Sequence, residues 1–248
     1  MANPGAALGQ AVGKLIELQI ASAVSEVALP RGYSVLPRKL KNGQNNEYQI
    51  DCVVSDSQGN PVIIIDPKYI RYKKHNRDKG SWLCTAHYSL RKTFPSIRKS
   101  ITVLSGNWSV TSVALIRSFG IEVHQIPFQR LVNELGTRSI PFDWDEKDAA
   151  TPSIAWDLFQ RLPNTEKEAI ISTVVAPVLP SVVQSVVTTL EADMNAIQRR
   201  VSSIEVLLKT TQDEYLLYLY PSVSHAIQGM LRFLTDRQDI PDIQELLH

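Results

Sequence analysis

Cysteine is scarce in this chain of 248 residues, which contains Cys52 and Cys84 and no C-x-x-C pair. Two cysteines are too few for a disulfide scaffold, and their spacing does not fit a thiolate zinc site. The N-terminal segment also lacks the basic and apolar regions of a secretory signal. We therefore expect a cytoplasmic protein in a reducing compartment.

Long hydrophobic runs are limited to one stretch, Ala169–Leu190, which carries no charged residue. Its length could span a bilayer. Pro177, Pro180 and several serines interrupt it, however, and these groups are costly in lipid without partner helices. The pattern favours a buried or intersubunit surface and no membrane span.

The common catalytic patterns are missing as well. The chain has no G-x-x-x-x-G-K-[ST], G-x-S-x-G, H-E-x-x-H or G-x-G-x-x-G motif, which argues against a molecular motor, a serine hydrolase and a nucleotide cofactor. His75, His87 and His124 are scattered, and we interpret them as surface or hydrogen-bonded histidines.

Net charge is close to zero, at +1, but it is unevenly distributed. Residues 1–140 contain 18 Lys and Arg against 9 Asp and Glu, a net charge of +9, whereas residues 141–248 contain 8 against 16, a net charge of −8. A basic first half indicates a polyanionic partner.

Hydrophobic periodicity in the first half predicts an α/β domain with a mixed central sheet and flanking helices. Pro67 lies within the third predicted strand, after its apolar run, and predicts an edge or a bulge there, because proline cannot donate to a β ladder. The predicted order is helix 7–28, strands 33–36, 47–54 and 61–70, a basic loop 71–80, helix 81–93, strand 100–105, helix 109–119, strand 121–126 and helix 127–135.

The second half is predicted to be an all-α domain. Residues 1–140 form the first domain in this interpretation, 141–152 an acidic linker and 153–248 a helical dimerisation or interaction domain. Further helices are expected at 215–220 and 223–235. A heptad-like stripe predicts a coiled-coil helix and a homodimer through residues 181–210, or alternatively an amphipathic helix packed within its own domain. The stripe consists of Val183, Val187, Leu190, Met194, Ile197, Val201, Ile204 and Leu208.

Two carboxylates lie in strands that should be buried, Asp51 in YQIDCVV and Asp66 in VIIIDPKYI. A buried carboxylate needs a partner or a metal. A hairpin would bring the two aspartates together, with Lys68 on the same face as Asp66. Such an oxygen site suits Mg²⁺, and a neighbouring ammonium could orient a water for phosphodiester hydrolysis. An ordinary strand-end salt bridge between Asp66 and Lys68 is the alternative.

Glu17 on the first helix, Asp51 on the second strand and Asp66-Pro67-Lys68 at the end of the third resemble the PD-(D/E)xK nuclease superfamily, with its restriction-endonuclease-like fold. The resemblance covers residues 1–135. It implies that Asp51, Asp66 and the Pro67 carbonyl hold Mg²⁺, with Mn²⁺ able to substitute. It also implies that Lys68 activates the attacking water and that Glu17 is the first-helix acid, although Glu17 could equally lie on a solvated helix edge.

The resemblance implies a type II restriction endonuclease that cuts double-stranded DNA as a twofold dimer. The alternatives are a structure-specific or repair nuclease of the same fold and a catalytically silent DNA-binding or interaction module. Basic residues around the motif are candidates for phosphate contacts, unless they form a solvated face. They are Arg38, Lys39, Lys41, Arg71, Lys73, Lys74, Arg77, Lys79, Arg91 and Lys92.

Overall fold

A computed structural model describes residues 3–194 and 201–235. The chain divides into two compact units, residues 1–195 and 196–248. The helices are α1 (Pro4–Ala28), α2 (Asn76–Thr93), α3 (Val110–Ser118), α4 (Phe128–Gly136), α5 (Ala150–Arg161), α6 (Asn164–Val175), α7 (Leu179–Met194) and α8 (Val223–Thr235). The strands are β1 (Ser34–Lys41), β2 (Glu47–Ser55), β3 (Pro61–Ile65), β4 (Lys68–Ile70), β5 (Lys99–Gly106), β6 (Glu122–Pro127), β7 (Ile204–Lys209) and β8 (Tyr215–Tyr220).

The first unit is built on a mixed sheet, as the sequence predicts. β1, β2 and β3 form an antiparallel meander, and β5 pairs in parallel with β3, β4 and β6. The sheet contains fully buried residues such as Ile63, Ile64 and Ile65 of β3. Alternate residues of that strand pack towards opposite faces, which explains the continuous apolar run.

Helix α1 packs against one face of this sheet. The Asn3 side chain caps it by accepting a hydrogen bond from the Ala6 backbone N–H at 3.2 Å, so the helix begins three residues before the predicted start. Its buried face repeats every four residues through Leu8, Val12 and Ile16. On the other side of the sheet, α2 begins at Asn76, inside the segment that was predicted to be a loop.

The predicted domain boundary at residues 141–152 is wrong. Residues 137–149 contain no helix or strand, but Phe142 is 1% exposed and belongs to the same core as α1. Helices α5, α6 and α7 also pack on α1. The acidic stretch is therefore a packed segment of the first unit, because its aromatic residues Phe142 and Trp144 pack into the core although most of its other residues are polar.

The predicted coiled coil is also wrong as a continuous helix. In α7 the buried residues are Val182, Val186 and Leu190, one turn apart, and they join the core that contains α1. Ile197 lies outside the described residues. Towards the end of the stripe, Ile204 to Leu208 lie in β7, because apolar residues there alternate with polar ones at the period of a strand.

The second unit therefore contains a hairpin where the sequence predicted helices. β7 and β8 pair antiparallel, and the predicted helix at 215–220 is β8. Tyr218, Tyr220 and Ala226 form its small core, and α8 supplies the predicted final helix.

No single helix among the described residues is long and apolar enough to cross a membrane. Helices α6 and α7 meet the length and composition test only as a pair, and they are bent by 73° relative to each other.

Candidate active site

The site is organised by an interruption between β3 and β4. Ile65 pairs with Ile101 of β5, and Lys68 pairs with Leu104, so the same register continues across the break. The Asp66 backbone remains attached to β5, since its N–H donates to the Ile101 carbonyl at 3.0 Å. Pro67 has no N–H to donate, so the strand is interrupted at the predicted residue.

Asp51, on β2, lies beside Asp66 at this interruption. Cys52 pairs with Ile65 in the β2–β3 ladder, and one further step of this register places Asp51 opposite Asp66. The β1–β2 ladder shifts register beside Asp51, between Leu36 and Arg38. The hairpin thus brings the two aspartates together.

Lys68 joins the two carboxylates. Its Nζ lies 2.8 Å from Asp51 Oδ2 and 2.6 Å from Asp66 Oδ1. The side chains of Asp66 and Asp51 are only 5% and 16% exposed, and that of Lys68 is 28% exposed. One ammonium therefore serves two largely buried carboxylates.

The electrostatics of the pair are asymmetric. Burial, followed by the hydrogen bond and charge of Asp66, raises the pKa of Asp51 to about 7. Burial alone would raise the pKa of Asp66, but His87, Lys68 and Asp51 together hold it below its ordinary value. Burial would lower the pKa of Lys68, and the two carboxylates reverse this effect and raise it. The site is short of positive charge when both aspartates are ionised.

His87 of α2 belongs to this site and was missed by the sequence analysis. Its side chain is fully buried, and its Nε2 lies 3.9 Å from Asp66 Oδ2. Neither ring nitrogen has a hydrogen-bond partner within the described residues. The sequence did contain a signal that His87 is buried, because it lies four residues after Leu83 and three before Leu90, on the same face of α2.

Glu17 lies near the site but outside the carboxylate pair. It lines a cleft of about 670 Å³ together with Pro67 and Lys68. Its carboxylate accepts a hydrogen bond from Lys14 Nζ at 2.9 Å. The cleft runs along α1, and Lys79 of α2 contributes to its lining.

A glycine supports the far end of β4. Gly106 has φ +101°, and a Cβ added there would lie 1.9 Å from the Ile70 carbonyl oxygen. The Asn107 N–H donates to that oxygen at 3.0 Å. A side chain at residue 106 would therefore separate β5 from the strand that carries Lys68.

A metal would have to be held mainly by the aspartate pair. Within residues 3–194 and 201–235, no group of three or more His, Cys, Asp or Glu side chains is arranged to hold a metal. Two carboxylates that converge on one point are nevertheless hard oxygen ligands of the kind that Mg²⁺ binds, and Mg²⁺ commonly retains several waters. The shortage of positive charge around Asp51 fits a divalent cation, and the carbonyl of buried Pro67 is the remaining candidate ligand.

The basic residues are not gathered on one surface. Lys73, Lys74 and Arg77 line a hollow of about 370 Å³. Arg71, by contrast, has a side chain that is 9% exposed, and its guanidinium lies 3.4 Å from the centre of the Trp144 ring, so aromatic rings cover the cation that the sequence predicts on a phosphate-binding surface.

The other predicted phosphate-binding residues have varied surroundings. Arg38 donates to the Gly59 carbonyl at 2.8 Å, and Lys39 pairs with Glu47 at 2.8 Å. Arg91 donates to the carbonyl of Phe119. Lys41 and Lys92 are exposed.

Comparisons with known proteins add little. No protein-family model matches the chain, and a search of curated proteins finds no match. A search of solved structures finds a protein of unknown function, AF1548, at 10% sequence identity and a TM-score of 0.33. The alignment covers 73% of this chain and 99% of that one.

Proposed function

We propose that this protein is a Mg²⁺-dependent DNA endonuclease that hydrolyses phosphodiester bonds at Asp51, Asp66 and Lys68. The observation that carries the proposal is the convergence of two largely buried carboxylates from neighbouring strands on one lysine, at a break in the central sheet. The order of helix, four strands (β1 to β4), helix and strand around that break also supports the resemblance to PD-(D/E)xK nucleases.

Each residue has a separate role in this proposal. Asp51, Asp66 and the Pro67 carbonyl would hold the metal, which stabilises charge on the phosphate and lowers the pKa of bound water. Lys68 Nζ–H would donate to a phosphate oxygen or orient the attacking water. His87 of α2 would help to position the Asp66 carboxylate. Glu17 would be an additional acidic side chain in the lining of the cleft.

A purely structural salt bridge explains these contacts less well. An ion pair needs one carboxylate for one ammonium, whereas Lys68 faces two, and one of them has its pKa raised to about 7. Burying an uncompensated charge is costly, and such groups are common at functional sites. The arrangement is better explained as a site that binds a cation.

The proposal covers two kinds of nuclease. A type II restriction endonuclease would cut both strands of a symmetric site as a dimer, so it requires self-association. A structure-specific or repair nuclease could act as a monomer. Because the stripe does not form one continuous helix and its Leu190 is buried in the core of the first unit, the stripe no longer argues for the dimer, and light scattering of the full chain would decide it.

Cleavage of plasmid DNA tests the proposal. The full-length protein should cut plasmid DNA with Mg²⁺ or Mn²⁺ and stop when EDTA is added. Lys68→Ala should reduce the rate by at least about a hundredfold, the scale expected when a hydrogen bond to the transition state is removed. Lys167→Ala, on α6, is the matched control and should retain activity. Full activity in Lys68→Ala would refute the assignment of this site.

A further inference from the structure

The cleft along α1 has the size of a small-ligand pocket. Its volume of about 670 Å³ lies within the range of sites that enclose small molecules. Its lining extends along α1 from Gly5 to Glu17, a rise of about 18 Å at 1.5 Å per residue. Its lining includes Pro67 and Lys68, so a ligand in the cleft would lie next to the proposed reaction centre.

The charges in the cleft favour an anionic ligand. Each acidic side chain that lines it already has a partner: Glu17 pairs with Lys14, Glu146 pairs with Lys74, and Asp148 accepts backbone hydrogen bonds at the start of α5. Lys79 has no acidic partner among the described residues. Within the described part of the chain, its Nζ donates to the Tyr69 carbonyl alone, at 3.1 Å.

The Lys79 ammonium is also influenced by the positive charge of Lys68. Burial, followed by the charge of Lys68, lowers the pKa of Lys79. Lys68 is already held by two carboxylates, so Lys79 is the ammonium in this lining that no acidic side chain among the described residues neutralises, and a phosphate would be stabilised beside it. This effect is independent of the metal.

The walls of the cleft include aromatic rings. Tyr69, Tyr72 and Trp144 line it, and Gly5 and Gly9 of α1 leave room for two of these rings. A Cβ at Gly5 would lie 3.1 Å from Trp144, and one at Gly9 would lie 3.0 Å from Tyr69. Aromatic side chains beside a cationic groove are the usual way to bind unpaired bases.

We propose that this cleft binds one unpaired nucleotide beside the scissile phosphate, with its phosphate on Lys79 and its base against the aromatic wall. A continuous double helix would lie across the mouth of such a cleft, since its bases are stacked inside the duplex and enter a pocket only when they are flipped out. The substrate class is therefore DNA with an unpaired nucleotide at a gap, flap or strand end. This inference rests on the proposed function and narrows it.

The test compares binding to a labelled duplex with binding to the same duplex carrying a one-nucleotide gap. Fluorescence anisotropy of the full-length protein in EDTA measures affinity without cleavage. The gapped duplex should bind at least about tenfold more tightly, as expected for one stacked base. Gln10→Trp, on the exposed rim of the cleft, should remove this preference by filling the space.

Two further variants keep the test specific. Leu18→Trp adds the same ring to α1 at a residue that is 53% exposed and does not line the cleft, so it should keep the preference. Lys79→Met should reduce affinity for the gapped duplex more than for the intact one. This second variant does not depend on whether Gln10→Trp folds well.

The binding results test the cleft assignment separately from the proposed nuclease activity, which is measured by cleavage with Mg²⁺. Equal affinity for both duplexes, unchanged in Gln10→Trp and Lys79→Met, would overturn the cleft assignment even if the protein cuts DNA. A preference that depends on Gln10 and Lys79 would support the assignment even if no cleavage is observed. Failure to bind either duplex would overturn it.

Discussion

Replacing Asp51 with asparagine should stabilise the metal-free protein. Asp51 is 16% exposed and lies beside Asp66, and its pKa is raised from 3.8 to about 7. Above pH 7 the wild-type protein therefore carries two ionised, largely buried carboxylates for one Lys68. Asparagine removes one of these charges while it keeps the shape of the side chain.

The size of the effect follows from proton linkage. A carboxyl whose pKa is higher in the folded state binds more protons when folded, so wild-type stability falls as pH rises from about 4 to about 7. A pKa that is higher by roughly 3, at about 1.36 kcal/mol for each pKa unit, gives an upper limit of about 4 kcal/mol. Removal of the 2.8 Å ion pair with Lys68 offsets part of it, so we expect a gain of about 1 to 3 kcal/mol at pH 8.

Urea unfolding in EDTA measures this difference directly. The gain in Asp51→Asn should be largest at pH 8 and should shrink towards pH 4, where Asp51 is protonated in the folded wild type. Added Mg²⁺ should stabilise the wild type, by about 2.7 kcal/mol at a hundred times its dissociation constant, and should not stabilise the variant. Glu168→Gln, at an exposed residue of α6, is the control and should match the wild type both in stability at pH 8 and in its stabilisation by Mg²⁺.

The reasoning would be refuted if Asp51→Asn were less stable than the wild type at pH 8 in EDTA. That result would mean that the Asp51–Lys68 contact stabilises the fold more than the crowded carboxylates destabilise it. The site would then be a structural ion pair.

Three other results are expected. Gly106→Ala should lower the unfolding free energy by at least about 2 kcal/mol, because φ is +101° and the new Cβ would clash with the Ile70 carbonyl. Gly136→Ala is the control, since a Cβ there would have nothing within 4 Å, and it should change the unfolding free energy little. Thermal melts of both variants measure the difference. Replacing Lys73 and Arg77 with alanine should reduce the slope of log affinity against log salt by about one unit for each phosphate that is no longer neutralised, as measured by DNA-binding titrations. His87→Gln, whose polar amide can interact with the Asp66 carboxylate beside it, should retain more cleavage activity than His87→Leu in a plasmid assay.

The first half of the fold could be predicted because its local signals agree. The buried run before Asp66, the turns around it and the four-residue period of α1 all indicate the same element types that the structure contains. Pro67 marked the break between β3 and β4, since a missing N–H acts on the backbone whatever surrounds it. The proximity of Asp51 and Asp66 followed from a short hairpin.

The helices predicted in the second half were wrong because the same apolar pattern fits both a helix and a strand. Ile204 and Leu208 are four residues apart, which suits a helical stripe and also one face of a strand. Only the pairing of β7 with β8 distinguishes them, and that pairing is not visible in a local window. Likewise, Arg71 looked like a surface cation because composition alone does not show the aromatic rings that cover it.

Metal binding by the aspartate pair is the most direct test, because the catalytic role proposed for each residue depends on it. Mn²⁺ titrated into the full-length protein at pH 8 and followed by electron paramagnetic resonance gives the number of bound ions and their affinity. We predict one Mn²⁺ per chain in the wild type and no bound ion in Asp66→Asn, with the far-ultraviolet circular dichroism of the variant unchanged. Absence of a bound ion in the wild type, or equal binding by a folded Asp66→Asn, would contradict the metal site.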